Sequence, residues 1–319
     1  MKRRMWRSRL RTASASLAVA RLTNRRAKAG AAALRVVVAA VAIALATPAH
    51  AAARSFLWKV TGKGGVVYLA GSVHMLTPAH YPLSPAFDAA YKESDLLVEE
   101  LDMAELLAPT AQMAFLSKGM LGSDQTLDKL ISPATLALVN KTLADLGPAG
   151  EMLKKFKPWL LAMTLEQLEM QKAGYDASLG LDKHFYDRAQ ENGKSVMGLE
   201  TAEYQISRFE GMTMEQQDRL LAETLKQLET EKASITKLLD AWKTGDTPTV
   251  EKIVLADLKD DPALYQRLLV ERNRNWIPKI EELFSRKGHA FVVVGAAHLV
   301  GPDGLLAMLK SKGYTIEQQ

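Results

Sequence analysis

The chain has 319 residues, of which 48% are hydrophobic, enough for a large domain with a well-buried core. Residues 1–53 hold eleven of the 41 Lys and Arg residues and none of the 36 acidic ones, so the remainder carries 30 basic against 36 acidic residues, a net charge of −6. This mildly acidic remainder lacks a basic stripe with interleaved aromatic residues, which excludes nucleic acid as an expected partner. The absence of cysteine excludes disulfides, thiolate metal ligands and a cysteine nucleophile.

The start of the chain has the pattern of a secretory signal peptide. A basic segment precedes a short apolar run, and Ala49 with Ala51, or Ala51 with Ala53, then forms a small-residue cleavage site. The apolar run is too short to span a bilayer. We therefore expect residues 1–53 to be removed on export and residues 54–319 to form an α/β domain in the periplasm or outside the cell, without stable membrane insertion. An uncleaved membrane anchor is the alternative.

The first predicted elements of the domain are strands and one helix. Two strands, Leu57–Val60 and Val66–Ala70, form a hairpin with glycine in its loop. Ser84 and Pro85 then open a helix as its N-cap and first helical residue. A third strand follows over residues 95–102. A strand–helix–strand unit of this kind predicts parallel pairing.

Helices dominate the middle of the predicted fold, with a helical insertion over about residues 103–175. Beyond it, a short strand over Ser195–Leu199 ends at Glu200, and a long charged helix is predicted over Thr213–Lys243. The remaining predicted elements are helices near Pro248 and Pro262, a helix over Pro278–Lys287, a strand over Phe291–Val294, a helix over Gly304–Lys312 and an edge strand over Tyr314–Glu317. The predicted fold class is α/β, with a mixed, largely parallel sheet and a large helical insertion.

Two apolar strands end in the same motif, a glycine followed three residues later by a histidine. The two histidines are His74 and His298. Two further strands end at Glu100 and Glu200. Because the carboxyl ends of parallel strands share one edge of a sheet, where open α/β sheets bind ligands, we expect these four side chains to converge in one crevice. Both histidines are expected in loops just beyond their strands.

The chemistry of these side chains suits a divalent metal ion. Two neutral imidazoles and a carboxylate, from His74, His298 and Glu100, are ligands for Mn, Co or Zn with an open position for water. A metal lowers the pKa of its water and polarises a carbonyl, which allows hydrolysis without a side-chain nucleophile. A metal-free alternative remains open, in which one histidine, oriented by a carboxylate, acts as general base on water.

Several short motifs, taken together in order and spacing, resemble the TraB/GumN family. This group includes the animal Tiki proteases, and erythromycin esterase-like and ChaN-like heme-binding proteins are more distant relatives. The motifs are Gly71-x-x-His74, Glu100-Leu101-Asp102, Gly180-x-Asp182, Gly198-Leu199-Glu200-Thr201 with Gln205, Arg272-Asn273-x-x-Trp276 and Val294-Gly295-x-x-His298. The resemblance covers nearly all of Phe56 to Tyr314. It implies an α/β core with a paired G-x-x-H active site and, in the Tiki branch, divalent-metal peptidase activity.

The resemblance also implies roles for particular residues. It makes His74, Glu100 and His298 the site proper and Arg272 a catalytic contact with the substrate or the oxyanion. For Glu100 the alternative is a strand-end salt bridge, and for Arg272 it is a surface charge. Weaker candidates, as substrate contacts or as supports behind the ligands, are Asp182, Glu200 and Asn273. For Asp182 the alternative is a helix N-cap.

The predicted function is that of an exported metal-dependent hydrolase, peptidase-like, with a small-molecule or peptide substrate. Substrates in reach of this chemistry are peptides, esters and lactones. Two alternatives come from other functional classes. One is a heme- or metal-binding protein, and the other is a non-catalytic accessory factor in exopolysaccharide production or conjugation.

Overall fold

Short apolar runs rich in β-branched residues become the strands of one six-stranded sheet. The structure is a computed structural model that describes residues 54–62, 64–230, 232–256 and 261–319, and the predicted leader, residues 1–53, lies outside them. The strands are β1 (Leu57–Thr61), β2 (Val66–Ser72), β3 (Leu96–Leu101), β4 (Ser195–Glu200), β5 (Ala290–Gly295) and β6 (Thr315–Gln318).

The strand order is β4-β3-β5-β2-β1-β6, which gives the sheet a parallel centre and an antiparallel edge. Strands β4, β3, β5 and β2 pair in parallel, whereas β1 pairs antiparallel with both β2 and β6. The carboxyl ends of the four parallel strands therefore lie at one edge of the sheet. The prediction of a mixed, largely parallel α/β sheet is confirmed.

The helices that the structure describes connect these strands and cover the sheet. They are α1 (Pro85–Glu93), α2 (Met103–Leu107), α3 (Pro109–Gly119), α4 (Pro133–Ala144), α5 (Pro148–Leu153), α6 (Pro158–Lys172), α7 (Leu181–Asn192), α8 (Ala202–Glu210), α9 (Met214–Thr230), α10 (Lys232–Lys243), α11 (Thr247–Val254), α12 (Pro262–Tyr265), α13 (Glu271–Leu283), α14 (Ala296–Leu299) and α15 (Leu305–Ser311). Within the described ranges, none of them combines the length and the apolar content that a membrane crossing requires.

The main apolar core lies between the sheet and the helices on its faces. Phe291 in β5 contacts Tyr91 of α1 and Phe185 of α7, with ring centroids 5.8 and 4.7 Å apart. From α13, Trp276 and Ile280 are fully buried in the same core. Aromatic side chains of this size bury large apolar areas, so these contacts hold α1, α7 and α13 firmly on the sheet.

The helical part of the molecule has apolar clusters of its own. One of them combines Val139 of α4 and Leu165 of α6 with Leu221 and Leu225 of α9. Residues 103–172 contain helices and no strand of the sheet, as the predicted insertion over about residues 103–175 requires. The helical layer is nevertheless built from two separate chain segments, because α9 follows β4.

One predicted helix has different bounds in the structure, and another is described in two parts. The helix predicted over Thr213–Lys243 corresponds to α9 and α10, and residue 231 between them lies outside the described residues. The helix predicted to begin at Pro278 is instead the second half of α13, with the proline inside it. Proline removes one helical hydrogen bond, but Trp276 and Ile280 continue the buried face across it, and their packing favours one helix.

Candidate functional site

The carboxyl ends of the four parallel strands carry the side chains that the strand pattern singled out. Glu100 and Glu200 lie at the ends of β3 and β4, His74 lies two residues after β2, and His298 lies three residues after β5. Nε2 of His298 lies 3.9 Å from Oε1 of Glu100, and a β-carbon built at Gly295 would lie within 4 Å of Glu100, His298 and His74. The predicted convergence of these residues at one sheet edge is therefore present in the structure.

The imidazole of His74 is held by the first turn of α7. Its Nδ1 lies 3.1 Å from Oδ1 of Asp182. The helix approaches the strand end closely, since the Leu181 N–H donates to the Val73 carbonyl at 3.1 Å. A β-carbon at Gly180 would lie only 2.4 Å from the His74 carbonyl oxygen, so this position requires glycine. Gly180, rather than Asp182, is the N-cap residue, and Asp182 is free to orient the histidine.

His74 is accessible to solvent and strongly influenced by charge. Its side chain is 65% exposed, whereas that of Asp182 is 20% exposed. The Asp182 carboxylate raises the pKa of His74 to about 9, an effect that exceeds the opposing effect of desolvation. With Nδ1 directed at Asp182, the Nε2 atom is the one available to a reacting group. An exposed imidazole oriented by a carboxylate is an arrangement for general acid–base chemistry.

The Glu100 carboxylate is held on both of its oxygens. Oε1 accepts a 2.7 Å hydrogen bond from the Gly295 N–H, and Oε2 accepts from Nη2 of Arg272 at 2.5 Å. Gln205 adds a longer contact of 3.4 Å to Oε2. Burial alone would raise the pKa of Glu100, but the positive charge of Arg272, with His74 and the Gly295 N–H acting in the same direction, outweighs it and holds the pKa well below its usual range. Glu100 is therefore a fixed negative charge.

Arg272 is the centre of the buried polar network. Its Nε and Nη2 donate to Glu200 at distances of 2.7 to 3.2 Å, and Nη2 also donates to Glu100. Nη1 contacts the Leu268 carbonyl at 3.3 Å and Nε2 of His298 at 3.0 Å. These contacts engage all five guanidinium N–H groups, and the residue is only 8% exposed. In this arrangement Arg272 orients other side chains and has no N–H left for a substrate or an oxyanion.

The contacts of His298 determine its tautomer. Arginine can only donate, so Nε2 of His298 accepts from Arg272, and the ring proton therefore lies on Nδ1. That Nδ1–H donates to Oδ1 of Asn273 at 2.7 Å. Burial lowers the pKa of His298 to about 3, with the Arg272 charge acting in the same direction and Glu100 opposing them. His298 is thus a neutral, 4% exposed imidazole.

Two α13 side chains support this arrangement from behind. Trp276 donates from Nε1 to Oε2 of Glu200 at 2.9 Å, and its ring packs against His298 with centroids 4.4 Å apart. Asn273 also donates from Nδ2 to the Asp303 carbonyl at 2.8 Å, which fixes the chain beyond α14. Burial raises the pKa of Glu200, although the Arg272 contacts oppose that rise. The predicted weaker candidates Glu200 and Asn273 therefore lie behind Glu100 and His298.

Gly295 leaves open the space that faces the reactive groups. A β-carbon there would lie 3.1 Å from Oε1 of Glu100, 3.6 Å from Cδ2 of His298 and 3.9 Å from Nε2 of His74. Its φ of −49° is accessible to any residue, so the glycine is needed for space and not for backbone conformation. The Gly295 position therefore faces Glu100 and both histidines at close range, and glycine keeps a methyl group out of the space between them.

Glu99, the neighbour of Glu100, is buried without a partner. It is 2% exposed, and neither carboxylate oxygen has a hydrogen-bond partner in the described part of the chain. Burial raises its pKa to about 8, and the nearby charge of Asp182 adds to that effect. Glu99 is therefore predominantly a neutral acid near pH 7. Glu100, and not Glu99, is the residue whose carboxylate lies near His298 and the Gly295 N–H.

One residue beside the site was not predicted. Glu166 lies on α6, in the predicted insertion, and its side chain is exposed. The charge of His74 acts on its carboxyl group. Helix α6 therefore borders the site. Glu166 has no sequence signal because it reads as one of many charges on an amphipathic helix.

The donor set allows a test of whether the predicted metal ion fits. A metal bound by His74, Glu100 and His298 needs an unused lone pair from each residue. Nε2 of His298 has a single lone pair, and it accepts a hydrogen bond from Arg272, whose guanidinium also lies against Oε2 of Glu100. In the described residues, no group of three or more His, Asp or Glu side chains is arranged to hold a metal ion. The arrangement with Arg272 in place does not fit this metal, and metal binding stays a prediction.

Two other expectations about the site are corrected. His298 does not lie in a loop, because residues 296–299 form the short helix α14, and it is buried where His74 is exposed. The Asn273 contact and the neighbouring Trp276 ring account for this burial. Arg272 is not a surface charge, since two carboxylates and an imidazole surround it. The two G-x-x-H motifs therefore produce histidines with different environments and different protonation states.

The chain is similar in sequence to several known proteins. It is 28% identical over 246 residues to the uncharacterized protein YbaP of Escherichia coli (strain K12), which covers 76% of this chain and 87% of YbaP. It is 21% identical over 271 residues to an uncharacterized protein of Treponema pallidum (strain Nichols), covering 80% of each. It is 24% identical over 198 residues to Metalloprotease TIKI2 of Danio rerio, covering 53% of this chain and 38% of that protein. No solved structure matches the chain significantly.

The family comparison agrees with the motifs. The match to the TraB/PrgY/gumN family runs over residues 56–318, which include all six strands and every residue of the site described above. The chain belongs to the TraB/PrgY/gumN family.

Proposed function

We propose that the protein is a hydrolase in which His74, oriented by Asp182, is the general acid and base. The observation that carries this proposal is the position of the His74 imidazole, exposed, with Nδ1 3.1 Å from a carboxylate oxygen. Its Nε2 faces the gap at Gly295, on the other side of which lies a carboxylate oxygen of Glu100. A water molecule in that gap has an acceptor on each side.

The chemical steps follow from these two acceptors. Neutral His74 takes a proton from water at Nε2 while Oε1 of Glu100 orients the second O–H. The water oxygen then bonds to the substrate carbonyl carbon and forms a tetrahedral intermediate. Protonated His74 returns the proton to the leaving nitrogen or oxygen as its bond to carbon breaks. Both acid and base roles thus belong to one side chain, and Glu100 keeps its charge throughout.

The buried network makes Glu100 suitable for this role. Arg272 brings one positive charge to the two carboxylates of Glu100 and Glu200, and His298 stays neutral beside them. A carboxylate fixed on both oxygens does not reorganise during the reaction, which is the advantage of a preorganised site. In this proposal Arg272, Glu200, His298 and Asn273 position Glu100 and do not contact the substrate.

The substrate class we propose is a peptide, ester or lactone with an accessible carbonyl. The name of one relative, Metalloprotease TIKI2, supports peptide hydrolysis as the first activity to test. We also propose that the protein is exported, since its first 53 residues have a signal-peptide pattern. Mature protein from the exported fraction should begin just after Ala51 or Ala53, and an intact Met1 in the membrane fraction would instead indicate an anchor.

The test is a screen of peptide and ester substrates with wild type, His74→Ala and a matched control, His80→Ala. His80 lies six residues further along the same segment and bonds only to Thr77. We expect His74→Ala to lose activity by about a hundredfold or more, the usual size for a general base. His80→Ala should retain it. Equal activity of wild type and His74→Ala on every substrate cleaved would overturn the proposal.

The metal question is tested in the same screen. We expect activity to survive extensive treatment with a chelator, because His74 and Glu100 suffice for the steps above. Loss of activity on chelation, with recovery on adding Mn²⁺, Co²⁺ or Zn²⁺, would replace this version with the metal-dependent one. That result would leave the hydrolase assignment in place and change the role of His74 to that of a ligand.

A further inference from the structure

The guanidinium of Arg272 lies at the point where three acceptors from different strand ends meet. Oε2 of Glu100 and Oε1 of Glu200 both contact the same atom, Nη2, at 2.5 and 2.7 Å. Nε2 of His298 contacts the adjacent Nη1 at 3.0 Å. Two carboxylates and a neutral imidazole around one positive charge are the donors that a divalent transition-metal ion also selects.

The surroundings of Arg272 show that the guanidinium is a built-in part of the site. A π-helical turn over Gln266–Val270 precedes it, a rare form that is frequent at functional sites. Nη1 of Arg272 contacts a carbonyl of that turn, that of Leu268, at 3.3 Å. The guanidinium also lies over the Trp276 ring, 4.8 Å from its centroid. Backbone, carboxylates and aromatic ring together fix the cation in place.

We propose that Arg272 takes the place of a divalent cation in this site, and that removing its guanidinium makes Glu100, Glu200 and His298 a metal-binding site. Two buried carboxylates without a counter-charge are costly, so the pocket that remains is strongly selective for a cation. The Nη2 position already has two carboxylate oxygens close to it, and His298 presents its Nε2 lone pair from the neighbouring side. This inference does not depend on the proposed hydrolase activity, because it concerns binding alone.

The experiment measures metal binding to wild type and to Arg272→Ala by calorimetry and by metal analysis after desalting. We expect Arg272→Ala to bind one equivalent of Mn²⁺, Co²⁺ or Zn²⁺ about a hundredfold or more tightly than wild type, in which the guanidinium repels a second cation at close range. Thermal unfolding should show the same difference. Each metal should raise the Tm of Arg272→Ala and leave that of wild type unchanged.

Control variants distinguish a gain of metal binding in Arg272→Ala from a general loss of stability. Arg267→Ala removes another guanidinium of the same segment, one that donates only to the backbone carbonyls of Arg208 and Ser207. It should lose stability and gain no metal dependence. Arg272→Lys keeps a positive charge between the carboxylates and should likewise gain none. The double variant Arg272→Ala with Glu200→Gln should lose most of the metal affinity gained by Arg272→Ala.

The outcomes decide the proposal. Folded Arg272→Ala that binds these metals no better than wild type overturns it. Wild type that retains a stoichiometric metal through desalting, with a Tm that falls on chelation, also overturns it, because metal and guanidinium would then coexist. If Arg272→Ala cannot be recovered folded without metal, the same titrations are run on Arg272→Gln, whose amide keeps hydrogen bonds but no charge. Absence of a metal effect in that variant counts equally against the proposal.

Discussion

Asp182 lies at the start of α7 with Oδ1 3.1 Å from Nδ1 of His74, and this contact joins α7 to the segment that follows β2. The two residues are 108 positions apart in the chain, and the close approach at Gly180 brings them together. Because the contact uses Nδ1, it determines which nitrogen is presented to the gap at Gly295. It also determines the pH at which that nitrogen is neutral.

Replacing Asp182 with asparagine should lower the pKa of His74. In wild type the Asp182 carboxylate raises that pKa to about 9, and the amide removes the charge while keeping a similar shape. We expect the pKa of His74 in the Asp182→Asn variant to fall toward the ordinary histidine value of about 6.5. Imidazole resonances followed by NMR across pH 5 to 10 measure it directly. An unchanged pKa would show that Asp182 is not its cause.

The rate of hydrolysis should follow the same titration. A general base acts when neutral, so the wild-type rate should rise with pH until about pH 9. In Asp182→Asn the rising limb should move to lower pH, while the plateau falls because the imidazole is less basic and less well oriented. A pH–rate profile of both proteins tests this. Profiles with the same midpoint would exclude His74 as the titrating group.

The His74–Asp182 contact should also make the free energy of unfolding depend on pH. The pKa of His74 is higher in the folded state than its unfolded value of about 6.5, so the His74–Asp182 contact stabilises fully below pH 6.5 and less as pH rises through about 9. The difference in unfolding free energy between wild type and Asp182→Asn should therefore shrink over that window. Urea unfolding at pH 6 and at pH 9.5 measures it. A difference that grows with pH would contradict the assignment.

His298 should affect stability in the opposite direction. Its pKa is lowered to about 3 in the folded state against about 6.5 unfolded, so the unfolded chain binds more protons between these values. Wild type should lose stability relative to His298→Gln as pH falls from 6.5, by up to about 1.4 kcal/mol per pH unit. Parallel stability curves would show that His298 already titrates normally. Nitrogen chemical shifts provide a second check, since they should report a proton on Nδ1 at pH 7.

Much of this site follows from local patterns in the sequence. Short apolar runs predict the strands, and parallel pairing then brings Glu100, Glu200 and the two histidines to one edge without knowledge of the packing. The glycine before each histidine predicts a close approach, and Gly295 does face the reactive space. The resemblance to the family rests on several short motifs taken together in their order and spacing, and the family match confirms it.

The role of Arg272 could not be predicted in this way. Its neighbours in the sequence are charged and read as an exposed helical face, whereas its position depends on α13 packing through Trp276 and on the preceding π-helical turn. The hydrogen bonds of a guanidinium depend on side-chain geometry across four elements, which periodicity does not encode. The same holds for Glu166, whose distance from His74 depends on how the helical layer packs beside the sheet.

Glu99 and Glu100 are adjacent, and we expect opposite results when each becomes glutamine. Glu100→Gln removes one partner of a buried ion pair with Arg272, and this should cost about 3–5 kcal/mol at neutral pH. Glu99→Gln removes a carboxyl that has no partner, so it should cost little near pH 6. Unfolding free energies from urea titrations at one pH distinguish the two. A large loss for Glu99→Gln would reveal a partner for that carboxyl.

The pH dependence of Glu99→Gln sharpens this test. The pKa of Glu99 is raised to about 8 in the folded state against about 4.3 unfolded, so the folded protein binds more protons between these values and wild type loses stability as pH rises. Glutamine does not titrate. Glu99→Gln should therefore gain stability relative to wild type from pH 5 to 8 and hold that gain above it. A constant difference across this range would show that Glu99 ionises normally.

The last prediction compares two glycines, Gly295 and Gly180, each replaced by alanine. A methyl group at Gly295 would lie 3.1 Å from Glu100 and 3.9 Å from His74, in the gap proposed for water, while the backbone there suits alanine. We expect a loss of activity of about a hundredfold with a change in stability below about 1.5 kcal/mol. A methyl group at Gly180 would instead lie 2.4 Å from the His74 carbonyl oxygen, so the backbone must shift, at a cost of about 1–3 kcal/mol. Thermal unfolding and rate measurements on both variants separate space needed by a reactant from space needed by the fold, and full activity in Gly295→Ala would place the reacting water elsewhere.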